Sequence, residues 1–294
     1  MKIIETPRDG MQGLRKIIPT QLKADYINLL LKVGFDAVDV GSFVSTDAIP
    51  QLSDTAEVLK KLDMSKTKSK LMVLVANKKG GEIAAGFDEI KYLIFPFSVS
   101  PTFLKRNINS DIESSLQTIE VLKNICIKAK KELVVYIAMG FGNPYEDEWN
   151  IELVKKWVDV LYRLGIQIIP FSDILGNSTP ERINEVFSTL IPKFTDIEFG
   201  LHLHAKPNDW YEKTDAAYKA GCRRFDTVIN GLGGCPMADD KLIGNMDTKN
   251  LLYYFDKNNI KYKIDKKTFD DVVKMALKIF NYGKNFEITG RPES

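Results

Sequence analysis

The fold is decided by a unit that is clearest at residues 132–165, where ELVVYIAMGF (132–141) precedes NIELVKKWVDVLYRLG (150–165). The first stretch is almost continuously apolar, which is typical of a strand buried on both faces of a parallel sheet. The second stretch carries apolar residues at helical spacing with charged residues between them, which predicts an amphipathic helix. Together the two stretches predict one strand–helix unit.

The same unit recurs along the whole chain, since eight predicted strands each precede a predicted helix. Eight such units over about 250 residues favour a closed (β/α)8 TIM barrel, of class α/β, over a doubly wound open sheet. A further helical pattern near 266–282 predicts an added C-terminal helical segment. We therefore expect a barrel domain over 1–260 and a helical extension over 261–294 that packs on the barrel. The predicted strands are KIIETP (2–7), DAVDVGSF (36–43), KLMVLVA (70–76), EIKYLIFPF (89–97), ELVVYIAMGF (132–141), QIIPFSDI (167–174), IEFGLHLH (197–204) and RFDTVIN (224–230).

The composition argues against some classes of function, namely nucleic-acid binding and membrane insertion. The 294 residues are 44% hydrophobic and 27% charged, which is typical of a globular protein, and the net charge of +2 lacks the basic excess of a nucleic-acid-binding protein. Cys126, Cys222 and Cys235 form no CxxC pair, no apolar run reaches bilayer length, and strand-like sequence begins at residue 2. We expect a cytoplasmic protein that binds neither nucleic acid nor membranes.

Both histidines of the chain, His202 and His204, lie in the predicted strand IEFGLHLH. Alternation puts them on one face, pointing into the barrel near the C-terminal ends of the strands, where TIM barrels carry their active sites. Asp9, just after the first strand, lies in the same layer. Two imidazoles and a carboxylate suit a divalent ion such as Mg²⁺, Mn²⁺ or Zn²⁺. The alternatives are two hydrogen-bonded core histidines and an RDG segment (8–10) that only forms a turn.

The loop GLGGCPMADDKLIGN (231–245) lacks the G-x-G-x-x-G of a dinucleotide-binding loop. Its glycines and its single thiol, Cys235, are the composition of a loop that brings an acid or nucleophile over a site. The alternative is a glycine turn with an incidental cysteine. Cys126 and Cys222 lie in or beside helices and are interpreted as small buried residues.

The motifs ETPRDGMQ, GSFVS…IPQLSD, FLKRNIN, GNPYE, SDILGNSTP, HLH and GLGGCP…GN occur in this order from about residue 3 to residue 250. Taken together they resemble the 3-hydroxy-3-methylglutaryl-CoA lyase family, metal-dependent carbon–carbon lyases built on a TIM barrel. The resemblance implies cleavage of this acyl-CoA to acetyl-CoA and acetoacetate with Mg²⁺ or Mn²⁺.

The resemblance also implies a set of site residues. Arg8 matches the arginine that stabilises the enolate, and Cys235 matches a cysteine that acts as an acid. Asp39, Asp173 and His202 complete the predicted catalytic group, with Asp173 and His202 both open as the general base. The predicted metal ligands are Asp9, His202, His204 and Asn245, and the predicted substrate contacts are Glu5, Arg8, Gln12, Arg15 and Ser42.

Three departures from the family pattern concern the acyl group more than the reaction. Asp39 stands where the family has a glutamate, and Ala205 stands where it has an acidic residue. The loop between Cys235 and Asn245 is one residue longer and carries Asp239 and Asp240. An aldolase or Claisen-type synthase acting on a 2-keto acid and a non-catalytic acyl-CoA-binding barrel are the competing interpretations. The C-terminal segment fits either packing on the barrel or a homodimer contact.

Overall fold

The computed structural model describes residues 1–14, 16–233 and 243–283. Its eight strands form a closed parallel barrel in sequence order, and the barrel closes where Lys2–Glu5 pairs with Arg224–Thr227. The predicted (β/α)8 fold is therefore confirmed. The strands are β1 Lys2–Glu5, β2 Ala37–Ser42, β3 Lys70–Leu74, β4 Ile90–Ser98, β5 Glu132–Ala138, β6 Ile168–Asp173, β7 Glu198–Leu203 and β8 Arg224–Thr227.

Helices surround the barrel, and their beginnings follow local sequence signals. In the helix at Ile151–Arg163, the Asn150 side chain accepts a hydrogen bond from the Leu153 amide at 2.8 Å, while Val154, Val158 and Leu161 are buried. The helices are α1 Pro7–Gln12, α2 Thr20–Leu30, α3 Thr55–Leu59, α4 Lys78–Ala85, α5 Pro101–Ile108, α6 Ile112–Lys128, α7 Ile151–Arg163, α8 Pro180–Leu190, α9 Trp210–Lys219, α10 Thr248–Lys257 and α11 Lys266–Gly283, with 3₁₀ turns at Pro50–Leu52 and Ile229–Gly231.

The side chains of β7 alternate between the barrel interior and the surrounding helices, as the sequence predicts. Phe199, Leu201 and Leu203 of β7, together with Ile197 just before it, belong to the large apolar core between the barrel and the helices. A separate, small apolar cluster that includes Ile4, Ala37 and Ile94 fills part of the barrel interior. His204 lies one residue beyond β7, where its backbone bridges to Asn245.

Two helices of the structure were not predicted, namely α1 and α5. Helix α1 begins with Pro7 at its first position, where proline costs no hydrogen bond. Asp9 therefore lies in a helix, and the interpretation of RDG as a simple turn is wrong. One short helix directly after β1 thus carries Arg8, Asp9 and Gln12 on adjacent turns.

The C-terminal helix α11 packs against α2, with the rings of Phe280 and Tyr26 at 6.5 Å in an edge-to-face contact. A Cβ atom on Gly10 would lie 3.2 Å from the Phe280 ring and 2.8 Å from Val228, so α1 approaches this packing closely because residue 10 is glycine. Within the described residues, no helix is long and apolar enough to cross a bilayer.

Candidate active site with a metal centre

A cavity of about 290 Å³ opens at the C-terminal ends of the strands. Asp9, His202 and His204 line its polar part together with Arg8 and Gln12. Much of the remaining lining is apolar and comes from β3, β4, α5 and the segment after β2, with the side chains of Val44, Ile49, Leu74, Ile94, Phe103 and Ile108. The cavity can therefore hold a molecule with a polar head and an apolar portion.

Three buried side chains place ligand atoms at one point of this cavity. The Nε2 atoms of His202 and His204 are 3.3 Å apart, and Asp9 Oδ2 lies 3.9 Å from each of them. One ligand atom from each residue lies within 4.8 Å of the others. Two imidazole nitrogens that face each other beside a carboxylate are the arrangement expected around a divalent cation.

Asn245 reaches the same centre from the loop after β8. Its side-chain amide donates to Asp9 Oδ2 at 2.8 Å and to the Leu232 carbonyl at 3.0 Å, which leaves the side-chain oxygen for a ligand contact. Oxygen and imidazole ligands without thiolate suit Mg²⁺, Mn²⁺ or Zn²⁺. The residues present therefore fit a divalent metal ion.

The protonation of two of the three ligands, His204 and Asp9, also fits a cation site. Burial lowers the pKa of His204 to about 4, and repulsion from His202 acts in the same direction. Burial alone would raise the pKa of Asp9, but Arg8 and the two histidines prevail and lower it. Burial would likewise lower the pKa of His202, yet Asp226 and Asp9 prevail and raise it. At neutral pH, His204 is thus uncharged and Asp9 is ionised, and these are the forms that bind a metal.

Arg8 is fixed by three partners beside the metal centre. Asp39 Oδ2 accepts from Arg8 Nε at 2.8 Å and lies 2.7 Å from Nη2. Arg8 Nη1 donates to Gln12 at 2.8 Å and to Asp9 Oδ1 at 3.1 Å. Gln12 in turn donates to Asp9 at 3.1 Å, so α1 holds its own arginine and carboxylate in place. The shorter acid at position 39 still reaches the guanidinium.

The sequence interpretation missed a polar network beneath the histidines. Asp226 of β8 accepts a hydrogen bond from the hydroxyl of Tyr136, and its Oδ2 lies 3.5 Å from His202 Nδ1. Arg224 approaches the same carboxylate at 3.5 Å and binds Glu198 at 3.1 Å. A carboxylate at Nδ1 fixes the tautomer that presents Nε2 to a metal. The signal was the alternation in RFDT (224–227), which puts Arg224 and Asp226 on one face.

Two predicted site residues do not line the cavity and instead hold backbone. The Asp173 carboxylate accepts hydrogen bonds from the hydroxyl and amide of Ser178, and Lys213 Nζ lies 3.6 Å away. Ser42 is buried, and its hydroxyl accepts from the Val44 amide at 3.1 Å. Asp173 thus shapes the loop after β6, and Ser42 shapes the loop after β2.

Glu5 also lies away from the cavity lining, fully buried behind the end of β1. Cys235, Arg15 and the pair Asp239–Asp240 lie outside the described residues, so their predicted roles stay predictions. Cys126 and Cys222 are free and buried, as expected.

Fold and site together define a class, that of TIM barrels whose catalytic mouth carries a candidate divalent-metal site of one carboxylate and two histidines. Within that class, the HMGL-like family model matches residues 1–275. The chain belongs to the HMGL-like family.

Individual relatives agree with this assignment. The chain is 31% identical over 258 residues to hydroxymethylglutaryl-CoA lyase YngG of Bacillus subtilis, covering 88% of this chain and 85% of that protein. It is 32% identical over 271 residues to the cytoplasmic 3-hydroxy-3-methylglutaryl-CoA lyase of Danio rerio, covering 90% and 78%.

Solved structures give the same result. The B. subtilis HMG-CoA lyase structure superposes with a TM-score of 0.89 at 29% identity, covering 97% of this chain and 95% of that one. The structure of an HMG-CoA lyase from A. baumannii in complex with coenzyme A and 3-methylmalate has a TM-score of 0.87 at 28% identity, covering 99% and 98%.

Proposed function

We propose that this protein cleaves 3-hydroxy-3-methylglutaryl-CoA to acetyl-CoA and acetoacetate with Mg²⁺ or Mn²⁺. One observation carries the proposal, namely that a fixed guanidinium and a three-ligand metal site converge on one cavity. The lyase names of the relatives, which cover most of the chain, support the same substrate.

The reaction requires the removal of a proton and the stabilisation of a developing negative charge. The tertiary hydroxyl of the substrate must lose its proton, and the carbon–carbon bond beside it must break with its electron pair left on the acetyl-CoA fragment as an enolate. A bound metal ion would lower the pKa of that hydroxyl. Arg8, which Asp39 and Gln12 hold rigidly, is placed to stabilise the enolate oxygen as its charge develops.

Two proton transfers complete the reaction. His202 and Asp173 are the two candidate bases, and of the two His202 lines the cavity. An imidazole that binds the metal through Nε2 and directs Nδ1–H to Asp226 has no nitrogen left to accept the proton, so we assign the base to neither residue. The enolate carbon then takes a proton, and we assign this step to Cys235 on the resemblance alone.

The binding of the rest of the substrate follows the shape of the cavity. The apolar lining from β3, β4 and α5 belongs to the same cavity as the metal ligands and suits the methyl and methylene groups of the acyl chain. Arg15, which lies outside the described residues, is assigned to the coenzyme A portion on the resemblance. A cytoplasmic location and a homodimer stay predictions.

The test is incubation of the purified protein with hydroxymethylglutaryl-CoA and Mg²⁺ or Mn²⁺, followed by identification of both products. We expect acetyl-CoA and acetoacetate in equal amounts. A parallel reaction with acetyl-CoA and a panel of 2-keto acids tests the synthase alternative. Condensation there, without cleavage of hydroxymethylglutaryl-CoA, would contradict the proposal.

A further inference from the structure

Glu5 is a buried carboxyl group that the proposed chemistry leaves without a role. It ends β1 and is fully buried, and strand alternation puts it on the outer face with Ile3 rather than on the inner face with Ile4. Burying an acid costs free energy unless its oxygens are well hydrogen-bonded. Its partners therefore indicate what the residue does.

Those partners lie at the two ends of the loop that follows β8. Glu5 Oε1 accepts from the Ile229 amide at 2.8 Å, which is the beginning of the loop. Glu5 Oε2 accepts from the Thr248 hydroxyl at 2.8 Å, at the first residue of α10, and from the Thr227 hydroxyl at 3.3 Å. One side chain thus joins two segments that lie about twenty residues apart in the chain.

The same two segments pair with each other through their backbones. The Val228 amide donates to the Met246 carbonyl at 3.0 Å, and the Thr248 amide donates to the Val228 carbonyl at 3.4 Å. The Met246 amide also donates to the Leu203 carbonyl at 2.8 Å, beside the histidine strand. This pairing delivers Asn245, one residue before Met246, to Asp9.

We propose that Glu5 is a positioning residue, which holds Ile229 and Thr248 together and thereby sets Asn245 at the metal centre. The inference rests on the metal site proposed above and gives Glu5 a role other than contact with substrate. Glu5 does not line the cavity, so it acts through the loop ends.

The electrostatics of Glu5 indicate that its carboxyl group is uncharged. We call its hydrogen bonds to Ile229 and Thr248 the clamp. Its three hydrogen-bond partners are uncharged, and a threonine hydroxyl can accept the proton that a neutral Glu5 carries on Oε2. Burial raises the pKa of Glu5 to about 8, with Asp247 acting in the same direction. A glutamine at this position offers one acceptor and one donor in the same shape, as a protonated acid does. Glu5→Gln should therefore preserve the clamp, whereas Glu5→Ala should remove it.

The first test uses the metal-free protein and does not depend on the substrate. Hydrogen–deuterium exchange at the amides of Val228, Ile229, Met246 and Thr248 should be at least about 10-fold faster in Glu5→Ala and close to wild type in Glu5→Gln. Ser69→Ala is the control, because it removes a buried hydrogen bond to the Phe35 carbonyl (2.6 Å) before β3. Unchanged exchange in folded Glu5→Ala overturns the clamp.

The second test is Mn²⁺ titration by calorimetry. We expect Glu5→Ala to bind Mn²⁺ about 10- to 100-fold more weakly, the range found for residues that support metal ligands, and Glu5→Gln and Ser69→Ala to bind within about 2-fold of wild type. If Glu5→Ala does not fold, Thr248→Val against Thr248→Ser makes the same comparison with one bond lost or kept.

The two tests separate the proposals. Faster exchange with unchanged Mn²⁺ affinity would overturn the effect on Asn245, and equal loss in Glu5→Gln and Glu5→Ala would overturn the role of a neutral hydrogen-bonding group. A wild-type protein that binds no Mn²⁺ contradicts the proposed metal centre instead, while the exchange result still decides the clamp.

Discussion

Glu5 and Asp39 are two fully buried carboxyl groups on neighbouring strands, and they have opposite surroundings. Asp39 faces the barrel interior and binds the guanidinium of Arg8, whereas Glu5 faces outward and, among the described residues, accepts hydrogen bonds from an amide and two hydroxyls. Burial raises the pKa of both, to about 6 for Asp39, where Arg8 opposes the rise, and to about 8 for Glu5.

The comparison shows that burial alone does not assign a role to an acid. With a cation beside it, Asp39 keeps its charge at neutral pH and orients the group that meets developing negative charge. Without a cation, Glu5 is a neutral hydrogen-bonding group that joins segments of backbone. An acid beside a cation thus orients a charged group of the site, and an acid without a cation holds segments of backbone together.

The largest effect is expected when the ion pair between Arg8 and Asp39 is broken. Arg8→Met should lower kcat by at least about 10³-fold, or about 4 kcal/mol, because the developing enolate loses its cation. Mn²⁺ affinity should change far less, since the metal ligands remain. Asp39 would be left as an unpaired buried charge, so the double variant Arg8→Met/Asp39→Asn should regain stability but not turnover. A loss of metal affinity as large as the loss of turnover would disprove the assigned role.

The next prediction concerns the contribution of Glu5 to the free energy of unfolding. The folded-state pKa of Glu5 is raised above its unfolded value, so its contribution to stability is present below about pH 4.5 and is lost as pH rises through about 8. The free energy of unfolding of wild type should therefore fall relative to Glu5→Gln by roughly 3–4 kcal/mol between pH 5 and pH 8. Urea unfolding of both proteins across this range gives the difference, and parallel pH curves would refute the neutral acid.

The metal centre gives the third prediction. His204→Ala removes one of two imidazole ligands, so Mn²⁺ affinity should fall by more than the roughly 10- to 100-fold typical of outer-shell partners. Calorimetric titration measures this, and Ser69→Ala, far from the cavity, should bind as wild type does. A metal-replete and fully active His204→Ala protein would remove His204 from the ligand set.

The smallest expected effect concerns Asp226, which lies beside the proposed metal ligand His202. Asp226→Asn should weaken Mn²⁺ binding by about 10-fold, because the amide no longer fixes the His202 tautomer by charge. The overall fold should persist, since Tyr136 and Arg224 still have polar partners there. Circular dichroism checks the fold while calorimetry measures the affinity. Unchanged affinity would show that Asp226 serves packing only.

The sequence predicted the barrel because every strand-to-helix unit carries its own periodicity, and it predicted the cluster of Asp9, His202 and His204 because strand ends converge in this fold. It did not predict α1, since PRDGMQ has no helical apolar spacing and its Pro, Asp and Gly are typical of a turn. The sequence could not show that Asp173 and Glu5 lie away from the cavity lining, because a motif gives residue type but not the face on which a side chain lies. Asp226 and Arg224 were missed because their network depends on side chains from β5, β7 and β8 meeting inside the barrel.

The central claim is metal-dependent cleavage at this cavity, and the direct measurement is acetyl-CoA release from hydroxymethylglutaryl-CoA before chelation, after chelation, and after Mg²⁺ or Mn²⁺ is added back. We expect release to stop with chelator and to return with the metal in wild type, but not to return in His204→Ala. Release that continues in a protein shown to be free of metal, or no release from a protein shown to bind it, would contradict the account.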